Sequence, residues 1–341
     1  MWLPRLGPWR LNSKNRERAV SRSEFDIIQN YFAQLTDTPN WVSVGIGDDA
    51  AVLQPIPDQS LLVSIDTLNQ GIHFTEHYSA YDIAYKALAV NLSDIAAMGG
   101  QPCWFTLALS LPAVDEAWLR EFSQGLAALA TQHHVALVGG DTTKGPLSIT
   151  IQIAGTAPPG KSLCRHGAKL EDDIYVTGYL GDAAAGLLAS QTNLSFTSEQ
   201  KAYFLQRLQQ PTPRVELGMA LRDIANACID VSDGLAADLS HMLDKSRVGA
   251  QLDISALPCS PALQSAALSQ KTDLALYGGD DYELCFTADQ QARSSIAQLS
   301  QDLGCPITCI GSVIATSGLF SSQAGKQEPL PVKGFDHFAH E

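Results

Sequence analysis

Five short segments of this chain share one design, in which a few apolar residues run into an aspartate flanked by glycine, serine or threonine. They read Gly45-Ile-Gly-Asp-Asp49, Ser64-Ile-Asp66-Thr67, Asn91-Leu-Ser-Asp94, Gly139-Gly-Asp141-Thr-Thr and Asp230-Val-Ser-Asp233-Gly. Each puts a carboxylate where an apolar segment ends. Glycine beside it lets the backbone approach a ligand closely or take a positive φ, while the preceding segment fixes its position. Taken singly, an aspartate after glycine is an ordinary turn or helix N-cap. Taken together the five pose a charge problem, because two carboxylates about 4 Å apart repel by about 4 kcal/mol at an effective dielectric of 20. Divalent cations remove it. Mg²⁺ takes oxygen ligands and bridges one or two carboxylates to phosphates, so several such ions turn the repulsion into a phosphate site.

Composition agrees with that reading. A net charge of −14 argues against nucleic acid, whose backbone is bound by basic faces, yet leaves nucleotides open if cations lie between the two sets of oxygens. The longest apolar stretch, around Ala87 to Val114, is broken by Asn91, Asp94, Gln101 and Pro112, so no membrane span is expected. Seven scattered cysteines without a CxxC pair read as buried, reduced thiols of a cytoplasmic protein. At 341 residues the chain exceeds what one core usually serves, which predicts two domains. Residues 1–20 carry Arg5, Arg10, Lys14, Arg16 and Arg18 with little apolar content and are expected to be a disordered extension.

The elements expected between these limits alternate. A helix is predicted over Ser23 to Leu35, short strands at Trp41 to Val44, Ala51 to Leu53 and Leu61 to Ile65, and a long helix from Ser79 to Met98. That helix opens on a Ser79/Asp82 capping pattern and stops at Gly99-Gly100. A strand at Trp104 to Leu111, a helix from Val114 to His133 and strands at Val135 to Val138 and Leu147 to Ala154 follow. The charged, proline-containing stretch from Gly155 to Asp173 sets the boundary between residues 21–155 and 156–341. The second half repeats the α/β character, with a strand at Ile174 to Thr177, helices over Ser198 to Gln209 and on to Ala227, a strand at Cys228 to Val231 and a helix from Gly234. Asn91 and Asp94 lie three apart on the long helix, on a face shared with Ala84, Ala87 and Met98.

Two nucleotide motifs are excluded. Gly45-Ile-Gly47-Asp-Asp-Ala50 matches a dinucleotide fingerprint in form, but its aspartates face a pyrophosphate and Pro55 and Pro57 forbid the helix that must follow. No G-x-x-x-x-G-K-[ST] segment occurs, so the chain is not a P-loop enzyme. Lys161, Arg165, His166 and Lys169 are the candidate phosphate clamps, and His73 is either a substrate contact or a packed side chain.

The ordered series DIAYKALAVNLSDIAAMG, VGGDTTKGPLSITI, RHGAKLEDDIYVTGYLGDAAAGL, DVSDGLAADL and GGDDYELCF resembles the thiamine-monophosphate kinase family over about residues 23–338. That family belongs to a superfamily with aminoimidazole ribonucleotide synthetase. The resemblance implies an α/β (α+β) two-domain fold with mixed sheets and flanking helices, dimerisation through the N-terminal domains, and ATP with several Mg²⁺ ions. It assigns Asp49, Ser64, Asp66, Asp94, Asp141, Asp230 and Asp233 to the metal, Gly140, Asp141, Arg165 and Ser232 to ATP, and His73, Asp280 and Phe335 to thiamine monophosphate. Asp94, Asp141, Arg165 and Asp230 are then the catalytic set. The chain departs from the family pattern at Ile65, where a hydroxyl residue often stands, at Asp280 in place of a frequent glutamate, and at Phe335, which lacks a polar handle. The implied reaction is direct in-line transfer from ATP to thiamine monophosphate, giving thiamine diphosphate. An aminoimidazole ribonucleotide synthetase and a non-catalytic nucleotide sensor are the alternative readings.

Overall fold

In the computed structural model, which describes residues 23–191, 196–323, 326–335 and 337, the chain enters through a capped helical turn. Ser23 and Asp26 cap each other's backbone N–H groups at the start of α1 (Glu24–Ile27), which continues as a π-helical turn, Ile28–Phe32. The helix therefore ends short of Leu35, and the wider π turn brings Ile27 and Phe32, five apart, into the core together. The extension expected over residues 1–20 lies outside the described residues.

β1 (Val42–Val44) and β2 (Val52–Leu53) pair around the Gly45–Asp49 loop. β3 (Ser60–Asn69), α2 (Ala80–Ala97), β4 (Gln101–Leu111), α3 (Glu116–Gln132), β5 (Ala136–Lys144) and β6 (Ser148–Ala157) follow. The four long strands form a sheet ordered β3-β6-β4-β5, antiparallel except for β4 and β5. Ile149, Ile151 and Ile153 of β6 point to one face, where α2 covers them and α3 packs on α2. The capping expected at Ser79 is present, its hydroxyl oxygen accepting the Asp82 N–H at 3.0 Å, and Gly99 follows the helix at φ +62°. α2 is buried nearly all round, so it is a central helix and not an amphipathic surface one.

β5 runs further than its apolar run suggests. Pairing with β4 carries it through Gly139, Gly140 and Asp141 to Lys144, so the glycine-aspartate motif lies within a strand and not after one. A Cβ at Gly140 would sit 2.0 Å from the Leu107 carbonyl oxygen, which restricts that close approach to glycine.

The second half holds β7 (Asp173–Thr177), α4 (Asp182–Gln191), α5 (Ser198–Gln209), α6 (Val215–Ala220), β8 (Ala225–Asp230), α7 (Leu235–Ser246) and β9 (Gly249–Asp253). Then come α8 (Pro261–Ser265), α9 (Lys271–Tyr277), β10 (Leu284–Ala288), α10 (Arg293–Asp302), β11 (Ile307–Ile314), β12 (Gly318–Gln323) and β13 (Lys326–Pro329). The helix expected to reach Ala227 stops at Ala220 and passes through a 3₁₀ turn, because β10 recruits Ala225 onward as strand β8. The sheet order is β13-β12-β9-β11-β7-β10-β8. The two halves meet where α2 touches α6 and β8. At Gly218 of α6 an added Cβ would lie 2.0 Å from the Ala96 carbonyl oxygen, so glycine sets that contact. No helix among the described residues is long and apolar enough to cross a membrane.

Candidate active site

The junction of α2, β3 and β8 opens into a cleft of about 810 Å³. β3 supplies Ser64 and Asp66, α2 supplies Asp94, and the turn after β8 supplies Asp230, Ser232 and Asp233, all lining the cleft with Arg165. These side chains already engage one another. The Ser64 hydroxyl donates to Asp94, and the Ser93 hydroxyl donates to Asp230 at 2.7 Å across the boundary between the halves.

Burial and mutual repulsion shape the acidity here. Asp66 is pushed up to about 7 by burial, then by the charges of Asp94 and Asp230. Asp230 is likewise raised to about 7 by burial and Asp94, against the pull of Ser93 and Arg165. Burial also raises Asp94 and Asp233. Carboxylates in this state carry hard oxygen donors with uncompensated charge, the chemistry that suits a divalent cation. Among the described residues, however, no group of three His, Cys, Asp or Glu side chains converges in a ligating arrangement.

Further along the cleft lie His73, Asp280 and Phe335. His73 Nδ1 accepts the Asn69 N–H at 3.0 Å, which leaves its proton on Nε2, and burial together with His337 and Lys86 lowers its pKa. Asp280 adopts φ +69°, and its N–H donates to the Ser232 carbonyl at 2.8 Å. Phe335 is tied to the turn after β8 by its N–H, which donates to the Asp233 carbonyl at 3.1 Å, and its ring meets His337 at 4.8 Å.

Asp49, Gly140 and Asp141 stand elsewhere. They line a separate cavity of about 510 Å³ beside Phe25 and Phe32. Register explains the separation. Asp66 shares a cross-strand row with Ile151, Leu107 and Gly140, whereas Asp141 shares the next row with Thr67, Thr150 and Ala108. Adjacent rows point to opposite faces, and three strand spacings put β5 about 14 Å from β3. Within one chain the seven expected metal groups therefore form a set of five and a set of two.

Of the four candidate phosphate clamps, only Arg165 reaches the cleft. Lys161 pairs with Asp223 at 2.5 Å, Lys169 bonds Asn226 at 2.9 Å, and His166 is exposed. Asn91 is buried in α2, its amide donating to the Ala87 carbonyl at 3.0 Å. Three contributors were not found by reading the sequence. Asp238, raised to about 7 by burial and Asp230, accepts the N–H groups of Ser232 and Asp233 and so shapes their turn. Lys86 pairs with Asp280. Asp281 accepts the N–H groups of Gly181 and Ala183 beneath the same loop. Only Asp238 left a local trace, an acid in the first turn of α7.

Known proteins share this architecture. The family described as AIR synthase related protein, N-terminal domain, matches residues 47–157, and its C-terminal domain matches residues 169–322. The thiamine-monophosphate kinase of Salmonella typhimurium is 49% identical over 319 residues, covering 93% of this chain and 98% of that protein. The crystal structure of thiamine-monophosphate kinase from Stenotrophomonas maltophilia K279a superposes with a TM-score of 0.79 at 48% identity, covering 83% of this chain and 91% of that one. A structure of AaThiL complexed with AMPPCP and TMP matches with a TM-score of 0.74 at 31% identity over 86% of this chain and 92% of that one. The chain belongs to the thiamine-monophosphate kinase family, within the AIR synthase related proteins.

Proposed function

We propose that this protein transfers the γ-phosphoryl group of ATP to the phosphate of thiamine monophosphate, giving thiamine diphosphate and ADP. One observation carries the reading: a single cleft holds crowded carboxylates with Arg165 and, further along, His73, Asp280 and Phe335. A related enzyme at 31% identity binds AMPPCP and TMP together.

In this reading Ser64, Asp66, Asp94, Asp230 and Asp233 hold Mg²⁺, Arg165 and Ser232 hold ATP, and His73, Asp280 and Phe335 hold thiamine monophosphate. Bound there, Mg²⁺ supplies neutralising charge to the phosphates. The acceptor oxygen is ionised near neutral pH, so the transfer needs no strong general base. Arg165 offsets charge on the transferring group, and the cleft's shape aligns donor and acceptor. Asp280 faces the cationic thiazolium, and Phe335 offers it a stacking ring.

Asp49, Gly140 and Asp141 complete the site from a second copy of the chain. β3 is a sheet edge whose outward face exposes Leu61, Val63 and Ile65, each more than half accessible. Such a row calls for a partner. A side groove of about 340 Å³ runs from Ser64, Asp94 and Asp230 along this edge to Leu61 and Val63. A symmetric partner placing its β5 edge there brings its Asp141 to the metal side of the cleft.

The test is ADP release with thiamine monophosphate, thiamine, the aminoimidazole ribonucleotide precursor or no acceptor, each with Mg²⁺ and with EDTA. Stimulation by thiamine monophosphate that EDTA abolishes is expected. Stimulation by the ribonucleotide precursor instead, or binding without any ADP release, overturns the reading in favour of the synthetase or of a sensor.

A further inference from the structure

Lys86 is the least comfortable residue in α2. Its side chain is 2% exposed on a helix whose buried residues are mostly alanine, leucine and isoleucine, and an ammonium group leaves water at high cost unless something holds it. Two cleft groups do. Lys86 Nζ lies 2.9 Å from Asp280 Oδ1 and donates to the His73 carbonyl at 3.4 Å. Both partners come from residues placed at the acceptor end of the cleft, and they belong to different halves of the molecule.

Asp280 is itself held in an unusual posture. Its φ of +69° is a left-handed conformation uncommon for non-glycine residues, although aspartate is among those that tolerate it. Its N–H is anchored to Ser232 of the turn after β8, while its carboxylate, about one-third exposed, is gripped from below by Lys86. One carboxylate oxygen is engaged by Lys86, and the residue lines the cleft.

The helix adds a distance. Lys86, Val90 and Asp94 recur at every fourth residue, so they share one stripe of α2, and Val90 and Asp94 both line the cleft. Eight residues of helix separate Lys86 from Asp94, about 12 Å at 1.5 Å per residue. One rigid element thereby spans from the acidic cluster to the group that holds Asp280.

We propose that Lys86 is a positioning residue for the acceptor substrate, its buried ammonium fixing the Asp280 carboxylate and the His73 backbone at a set distance from Asp94. The proposal rests on the thiamine-monophosphate reading above and names what makes its acceptor pocket selective.

Steady-state kinetics of Lys86→Met test it. The methionine keeps the volume and removes the charge. The expected result is a KM for thiamine monophosphate raised about tenfold or more, the scale of a lost charge-assisted contact, with KM for ATP unchanged and kcat within about threefold. Combined with Asp280→Asn, Lys86→Met adds little further, because both act through one pair. Lys86→Arg, which keeps a buried cation but alters its reach, shows the same selective defect in smaller measure and serves if the methionine variant does not fold. An unchanged KM for thiamine monophosphate, an equal rise in both KM values, or full additivity with Asp280→Asn overturns the proposal. If the wild-type protein shows no stimulation by thiamine monophosphate, it is the functional reading that fails.

Discussion

At the scale of single residues, the decisive feature is carboxylates kept close together before any ligand arrives. Asp66 and Asp230 are both raised from 3.8 to about 7. A carboxyl whose pKa is higher in the folded than in the unfolded protein stabilises the fold fully below its unfolded pKa, and that contribution disappears as pH rises through the folded value. The metal-free protein therefore loses melting temperature between about pH 4 and pH 7 on account of these two groups. Asp94→Ala removes the neighbouring charge that acts most strongly on each of them, so its melting temperature depends less steeply on pH than wild type over that window. The same variant loses turnover by about 10³-fold or more, on the scale of removing one preorganised charge-stabilising group. Thermal melts in EDTA at a series of pH values and a turnover assay check both halves. A metal-free Asp94→Ala protein that melts well below wild type throughout speaks for a merely structural aspartate.

At the scale of elements, much was legible where the signal was local. Ser79, Asp82 and Gly99 announced both ends of α2, and the strand expected at Leu147 to Ala154 falls on β6. What failed was decided by distant partners. β5 keeps going through two glycines and an aspartate, poor strand formers, because β4 offers a ladder to pair with. Residues 225–227 leave the helical pattern because β10 claims them. Lys86 and Asp280 are 194 positions apart (280 − 86), and nothing near either announces the other. The same holds for Glu283, fully buried, which Arg214 clamps at 2.6 Å through two nitrogens, Arg207 at 3.1 Å and the Thr177 hydroxyl at 2.7 Å. This network ties α5 and the turn before α6 to the base of the Asp280 loop. Arg214→Ala leaves a buried charge half-compensated and lowers unfolding free energy by about 3 kcal/mol, measured by urea denaturation. A loss below about 1 kcal/mol, the scale of an exposed pair, contradicts a buried clamp.

At the scale of the whole molecule, the five acidic motifs divide. Three of them, around Asp66, Asp94 and Asp230, meet in one cleft, and two, around Asp49 and Asp141, lie across the sheet. The sequence carries the motifs but not the face each one occupies, since face follows from register and register from pairing. Under the proposed function a second copy reconciles the division, and each site would then draw on both chains of a dimer.

Mixing two inactive variants tests that claim most directly. Asp94→Ala and Asp141→Ala, each without turnover alone, are unfolded together, refolded at equal concentration and assayed for ADP release with thiamine monophosphate and Mg²⁺. If each site takes Asp94 from one chain and Asp141 from the other, half of the dimers are mixed and each mixed dimer holds one intact site, so about one quarter of wild-type activity returns. If both aspartates serve from the same chain, every site in the mixture lacks one of them and no activity returns.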